Sequence, residues 1–283
     1  MSTPIPFRKM NGLGNEIVVV DLRGRPEAVA AAVARGIGRS GTLHFDQMMV
    51  LYDPRSAETE AYVRIYNIDG SEAGACGNGM RCVSWIVAEE TGRKAFRFET
   101  QAGVLEARVT DLGCIAVDMG APRFGWRDIP LARPFADTRT IDLEVGQTDR
   151  PALRLASVVN VGNPHAVFWV DDPHGHDLAR IGPALEGHPL FPERANISLA
   201  QVTTPRTIVV RTWERGAGLT WACGSAACAA AVCAARKDLT ERQVTVTLPG
   251  GPLDIEWRAD EHVWMTGPVQ FEHAGVLDVL ETA

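Results

Sequence analysis

Lysine is nearly absent. Of 28 basic residues in 283, only Lys9, Lys94 and Lys237 are lysine. A Schiff-base enzyme needs a lysine, and none of the three falls in a glycine-rich or polar cluster of the sequence, so pyridoxal-type chemistry has no anchor. No apolar run approaches ~18 residues, so no membrane-spanning helix is expected. The stretch MSTPIPFRKMNGLGNE has no apolar signal core, and the expectation is a cytoplasmic protein. Positive charge is in deficit. A formal net charge of −7 and a pI near 5.5 argue against nucleic acid or an anionic membrane as the main partner. The six cysteines contain no CxxC pair and no Cys/His set at zinc spacing. They are read as thiols, and no metal site is expected. His44, His174, His176, His188, His262 and His273 show no ligand spacing and are left structural.

What is present is a duplication. Asn15 in GLGNEIVVVD matches Asn163 in NVGNPHAVFWVD, and Gln47 in FDQ matches Asn196 in RAN. Asn67, before DGSEAGAC, matches Glu214, before RGAGLTWAC, and Cys76 matches Cys223. The four offsets lie between 147 and 149 residues, far too long for a solenoid repeat. A chain of this length suits two domains, here two similar ones facing each other. Strands are predicted at 17–21, 61–67, 96–100, 114–119, 165–170, 207–213 and 244–248, from β-branched and aromatic runs. Helices are predicted at 26–39, opened by Pro26, and after each of Cys76 and Cys223. The Ala-rich second one ends at Arg236 and Lys237, where cations favour the helix dipole. Residues 121–152, rich in Pro, Arg and Asp, hold the domain boundary.

Each matched cysteine sits at the start of a helix, after a glycine-bearing loop. The positive end of the dipole there is expected to lower the thiol pKa from ~8.5 towards neutrality. The N–H groups at Gly77-Asn78 and Gly224-Ser225 can cradle a carboxylate. Two thiols flanking one anion cannot easily both ionise, so one thiolate and one thiol is the favoured state. A base on one face of a carbon and an acid on the other is what inversion requires. A single buried cysteine before a helix is ordinarily packing, and Cys82, Cys114, Cys228 and Cys233 keep that reading. The matched loops set Cys76 and Cys223 apart. Asn15, Gln47, Asn67, Asn163, Asn196, Glu214 and Arg215 together suit a zwitterion. Arg215 would fork onto a carboxylate, and Glu214 with the amide oxygens would accept from ammonium. His165, in NPH, is either an auxiliary base near a thiol or a turn histidine.

These segments resemble the diaminopimelate epimerase family. The resemblance rests on MNGLGNEIVVVD, FDQ, RIYNIDGSE, ACGNGMRC, GNPHAV, FPERAN, ERGAGLTWACGS and LPGGPLDIEW, in order over nearly the whole chain. It implies a cofactor-independent epimerase that interconverts LL- and meso-diaminopimelate in lysine and peptidoglycan precursor synthesis. It implies an α/β fold of two pseudo-symmetric domains, each a curved, mostly antiparallel sheet around a central helix. The last strand would return to the first domain, giving 1–122 plus 268–283 and 123–267. Cys76 and Cys223 would be the acid–base pair, and Gly77, Asn78, Gly224 and Ser225 would hold the reacting carboxylate. Asn15, Gln47, Asn67, Asn163, Asn196, Glu214 and Arg215 would bind the rest of the substrate. No cofactor, nucleic acid or membrane is implied, and a homodimer is left open. Two positions depart from the family: Thr42-Leu43-His44 stands where Gly-Ile-Gly is common, and Ala226 where Gly is common. Both put loop shape in question. The alternatives are a proline or hydroxyproline epimerase of the same fold, and a redox switch pairing Cys76 with Cys223. Asn78 and the ERGAG loop favour diaminopimelate.

Overall fold

The duplicated pattern becomes two similar sets of strands, each with one buried helix at its centre. The computed structural model describes residues 4–40, 43–110, 113–143 and 153–277. The chain divides into a unit of Met1–Asp118 with Thr266–Ala283 and a unit of Met119–Met265.

In the first unit, strand Ile5–Gly12 pairs antiparallel with both Asn15–Asp21 and Gln270–Leu277. The end of the chain thus completes the sheet begun at its start. Asn15–Asp21 runs parallel to Gln47–Tyr52, which is antiparallel to Ala61–Asn67. Ala95–Thr100 runs parallel to Ala61–Asn67 and hairpins into Gly103–Val109, which pairs with Ile115–Asp118. The second unit repeats the scheme. Leu155–Asn160 hairpins with Pro164–Trp169, which is parallel to Asn196–Thr204. Thr207–Glu214 follows antiparallel, then Gln243–Leu248 in parallel and Gly251–Trp257 antiparallel. Even the register recurs: Ile17 faces Gln47 in one unit and His165 faces Asn196 in the other. All seven predicted strands form, with ends shifted by at most two residues.

The helices are α1 (Ala31–Ser40), α2 (Gly77–Thr91), α3 (Leu178–Glu186) and α4 (Gly224–Arg236). Helices α2 and α4 are buried nearly all round, as a helix enclosed by a sheet must be. In α2, Met80, Cys82, Val83, Ile86 and Val87 are at most 1% exposed, and each such side chain contributes roughly 1.5–3 kcal/mol of burial. In α4 the buried face is made of Gly224, alanines, Cys228, Cys233 and Val232, nearly all small side chains. Gly92 ends α2 in the left-handed conformation, φ 67°, its N–H bonded to the Ala88 carbonyl at 2.8 Å. No helix among the described residues is long and apolar enough to cross a membrane.

Two helix expectations are corrected. Helix α1 begins at Ala31, five residues after Pro26. Its predicted first turn stays outside the helix, where two tyrosine hydroxyls take the polar groups of Val29. Tyr52 Oη accepts from the Val29 N–H at 3.0 Å, and Tyr66 Oη donates to the Val29 carbonyl at 2.8 Å. Helix α3 was not expected. Asp177 caps it, accepting from the Arg180 N–H, while Gly182 and Pro183 inside it mask its periodicity.

Candidate active site

In the first unit the site begins with a hairpin turn. Leu13 and Gly14 take φ values of 61° and 86°, and Gly14 N–H bonds Asn11 Oδ1 at 2.7 Å. The turn aims Asn15 at Asp46, whose Oδ2 accepts from Asn15 Nδ2 at 2.9 Å and from the Glu16 N–H at 2.8 Å. Beneath them lies Lys9, 4% exposed, with Nζ 2.6 Å from Glu16 Oε2 and 2.5 Å from the His44 carbonyl. Lys9 therefore does belong to a polar cluster, contrary to its sequence context: the hairpin carries it under residues that lie far along the chain. It fixes the backbone at His44, three residues before Gln47. The His44 side chain is 68% exposed, so it does not crowd that loop.

Gln47 opens its strand opposite Asn67, and the two amides meet, Nε2 to Oδ1, at 3.4 Å. Asn67 Nδ2 donates to Ser71 Oγ at 3.0 Å. Cys76 is the N-cap of α2, in extended backbone at φ −148°. Its sulfur accepts from the Gly79 N–H at 3.3 Å, and its thiol donates to Gln47 Oε1 at 3.3 Å. A cysteine thus does the work usually given to serine or aspartate at a helix start. Gly77 and Asn78 form the first turn, whose amides precede the first intrahelical bond. Asn78 Oδ1 accepts from buried Arg81 at 2.9 Å.

In the second unit Cys223 is the N-cap of α4, at φ −115°, but its side chain makes no cap bond. It is 5% exposed, and its sulfur lies 3.5 Å from Ser225 Oγ. The thiol pKa is raised well above its ordinary value, first by burial and then by the Glu214 carboxylate, which also hydrogen-bonds it. The expected lowering by the helix N-terminus does not hold for Cys223. Contacts from Ser225 and the Ala226 amide favour the thiolate but are outweighed. The helix still starts at Gly224, so Ala226 leaves its first turn in place.

His165 is fully buried, with Nε2 2.7 Å from Asn163 Oδ1 and 3.1 Å from Ser225 Oγ. Burial, and then the Arg215 charge, push its pKa down to about 3, so the ring is neutral. The same Nε2 lies 3.4 Å from Asn196 Nδ2, so this one ring nitrogen gathers Asn163, Asn196 and Ser225 around it. Asn196 Oδ1 accepts from the Arg215 N–H at 2.9 Å, and Arg215 Nη1 donates to the Glu193 carbonyl at 2.9 Å. Thr220 Oγ1 donates to Glu214 Oε1 at 2.5 Å. Arg215 and Asn163 line a pocket of about 330 Å³ with Arg123, Arg127, Asn160 and Glu193.

Within the first unit, then, Gln47, Asn67 and Cys76 join in one hydrogen-bonded chain, with Asn15 tied separately to Asp46. Within the second, Asn163, His165, Ser225 and Cys223 form another, with Asn196, Glu214 and Arg215 beside it. Among the described residues no group of three or more His, Cys, Asp or Glu side chains could hold a metal ion. Sequence reasoning missed Lys9, Arg123 and Arg127. No spacing marks them: the first hairpin carries Lys9 in, a bridge to Asn160 places Arg123, and the turn that follows brings Arg127 to the same pocket.

The two-cysteine architecture has counterparts. The diaminopimelate epimerase family profile matches residues 7–125 and 157–272. The chain belongs to the diaminopimelate epimerase family. It is 61% identical over 274 residues to a diaminopimelate epimerase of Nitrobacter hamburgensis, covering 96% of this chain and 94% of that one. It is 58% identical over 279 residues to the enzyme of that name from Brucella anthropi, covering 98% and 93%. Among solved structures, a predicted epimerase from Pseudomonas aeruginosa superposes with a TM-score of 0.69 at 18% identity, covering 98% of this chain and 100% of that one. A hydroxyproline epimerase from Agrobacterium vitis, with bound trans-4-hydroxy-L-proline, superposes with a TM-score of 0.68 at 14% identity, covering 98% and 93%. These two share the fold. The family profile and the curated relatives make this chain an epimerase of the diaminopimelate type.

Proposed function

We propose that the protein interconverts LL- and meso-2,6-diaminopimelate by proton transfer at one α-carbon, with Cys76 and Cys223 as the two acid–base groups. The observation that carries this reading is the repeated device: in a chain of this family, each unit presents a cysteine as the N-cap of its buried central helix. Inversion removes a proton from one face of the carbon and delivers another to the opposite face, so two groups in opposite protonation states are needed. Burial and the Glu214 carboxylate hold the proton on Cys223. Cys223 is therefore the acid, and Cys76 acts as the base once its thiol, which donates to Gln47 Oε1, has lost that proton to solvent. In the reverse direction the roles exchange: Cys223, left as the thiolate by the forward step, removes the α-proton and the Cys76 thiol returns one.

The first-turn amides at Gly77, Asn78, Gly224 and Ser225 hold the reacting carboxylate. Asn15, Gln47, Asn67, Asn163, Asn196 and Glu214 bind the remaining polar groups, and Arg215 clamps the distal carboxylate. Neutral His165 serves by orienting Ser225 and Asn163. The mechanism uses no cofactor. Incubation with LL-diaminopimelate and chiral separation of the products tests the proposal. Wild type should form the meso compound, while Cys76→Ala and Cys223→Ala should form none. Turnover in either variant, or preferred turnover of hydroxyproline, would overturn it.

A further inference from the structure

Glu186, the last residue of α3, is 3% exposed and carries a carboxylate with three donors. Trp213 Nε1 reaches Oε2 at 2.6 Å, the Gly216 N–H reaches Oε1 at 2.8 Å, and an Arg194 guanidinium nitrogen lies 2.5 Å from Oε1. Its own carbonyl accepts from the Ala195 N–H at 3.3 Å. A buried carboxylate is costly unless paired and hydrogen-bonded, and this one is both. The identity of the donors is informative. Gly216 follows Arg215, and Arg194 stands two residues before Asn196. Both take left-handed backbone, φ 78° for Gly216 and 62° for Arg194, so Glu186 ties down two tight turns at once. Arg215 also bonds those turns to each other, by its N–H to Asn196 and its guanidinium to the Glu193 carbonyl.

We infer that Glu186 is a positioning residue, setting where Glu214 and Arg215 present their side chains. Trp213 fixes one carboxylate oxygen from the strand that ends at Glu214. The other oxygen draws the 214–216 turn and the 194–196 turn to a common point. A role confined to stability would need only a filled, satisfied site, which a well-packed apolar side chain can supply as well. Such a side chain could not accept from both turns.

The inference rests on the function proposed above, and its test separates the two. Glu186→Gln keeps the volume but removes the charge and puts an NH₂ group against either Trp213 Nε1 or the donors of both turns. Amide hydrogen exchange read by NMR reports the clamp without any substrate. Exchange at Gly216 should quicken by at least about 10-fold, as expected for the loss of a charge-assisted hydrogen bond. Well below the variant's Tm, kcat/KM with LL-diaminopimelate should fall by at least about 10-fold. Trp213→Phe, which removes only the strand-side donor, should stay within about 3-fold of wild type, a half-decade set by the rate relation. Unchanged exchange at Gly216 would overturn the inference. So would quickened exchange with unchanged kcat/KM, or equal losses in both variants, since either marks a role in stability alone. If wild type does not turn over diaminopimelate, the proposed function fails, and the exchange result alone decides whether the clamp exists.

Discussion

His165 shows how far burial can move a residue from its ordinary chemistry. The sequence places it two residues after Asn163 but says nothing of its accessibility. In the fold it is fully buried, and its pKa is pushed down to about 3. The unfolded chain binds a proton at this residue near pH 6.5, whereas the folded one does so only near 3. Between those values the unfolded state holds more protons, so stability is lost as the pH falls. The slope approaches ~1.4 kcal/mol per pH unit for one such group. Urea unfolding at pH 6.5, 5.5 and 4.5 reads it out. Wild type should lose stability relative to His165→Gln by about 1 kcal/mol over the first step and about 1.3 kcal/mol over the second, and parallel curves would show that the ring is protonated in the fold. Cys223 teaches the same lesson from the other side. Its place at a helix start was legible, but its burial and the nearness of Glu214 were not, and those two set its protonation state.

Among the elements, strands were easier to read than helices. β-branched alternation survives in any context, and so 61–67 forms over the stretch the sequence indicates. Helix α1 was misplaced at its start because Tyr52 and Tyr66, distant in sequence, capture Val29. Helix α3 escaped notice because Gly182 and Pro183 are poor helix formers. The fold explains the glycine. A Cβ at 182 would lie 2.5 Å from Trp213 Cδ2, in the body of the indole rather than at a flexible end. Gly182→Ala gains up to ~1 kcal/mol of helix propensity but must push α3 off Trp213, at roughly 1–3 kcal/mol. The expected net is destabilisation, read as a lower midpoint in urea. Stability equal to or above wild type would show that α3 can shift freely. Overpacking here also displaces the bond between Trp213 and Glu186, coupling this helix to the turn that carries Arg215.

On the scale of the whole molecule, the repeat at 147–149 residues was the most informative feature of the sequence. It forecast two units with one matched helix-start cysteine each, and the same strand pairings and helix starts recur in both. It could not disclose the return of the last strand to the first, because no match in sequence marks Gln270–Leu277 as the partner of Ile5–Gly12. Nor could it reveal the buried charges Lys9 and Glu186, which act through pairings that only the folded chain makes. The doubled device makes sense for a reaction with two faces, one cysteine serving each. Isotope placement tests it most directly. LL-diaminopimelate is incubated in heavy water, and the deuterium content of both isomers is followed by mass spectrometry during the first few per cent of conversion. With two bases, the meso product takes its α-deuteron from a thiol equilibrated with solvent, while recovered LL substrate stays unlabelled. Protium retained in the product, or equal labelling of both isomers from the start, would mean that one group carries the proton both ways and would contradict the claim.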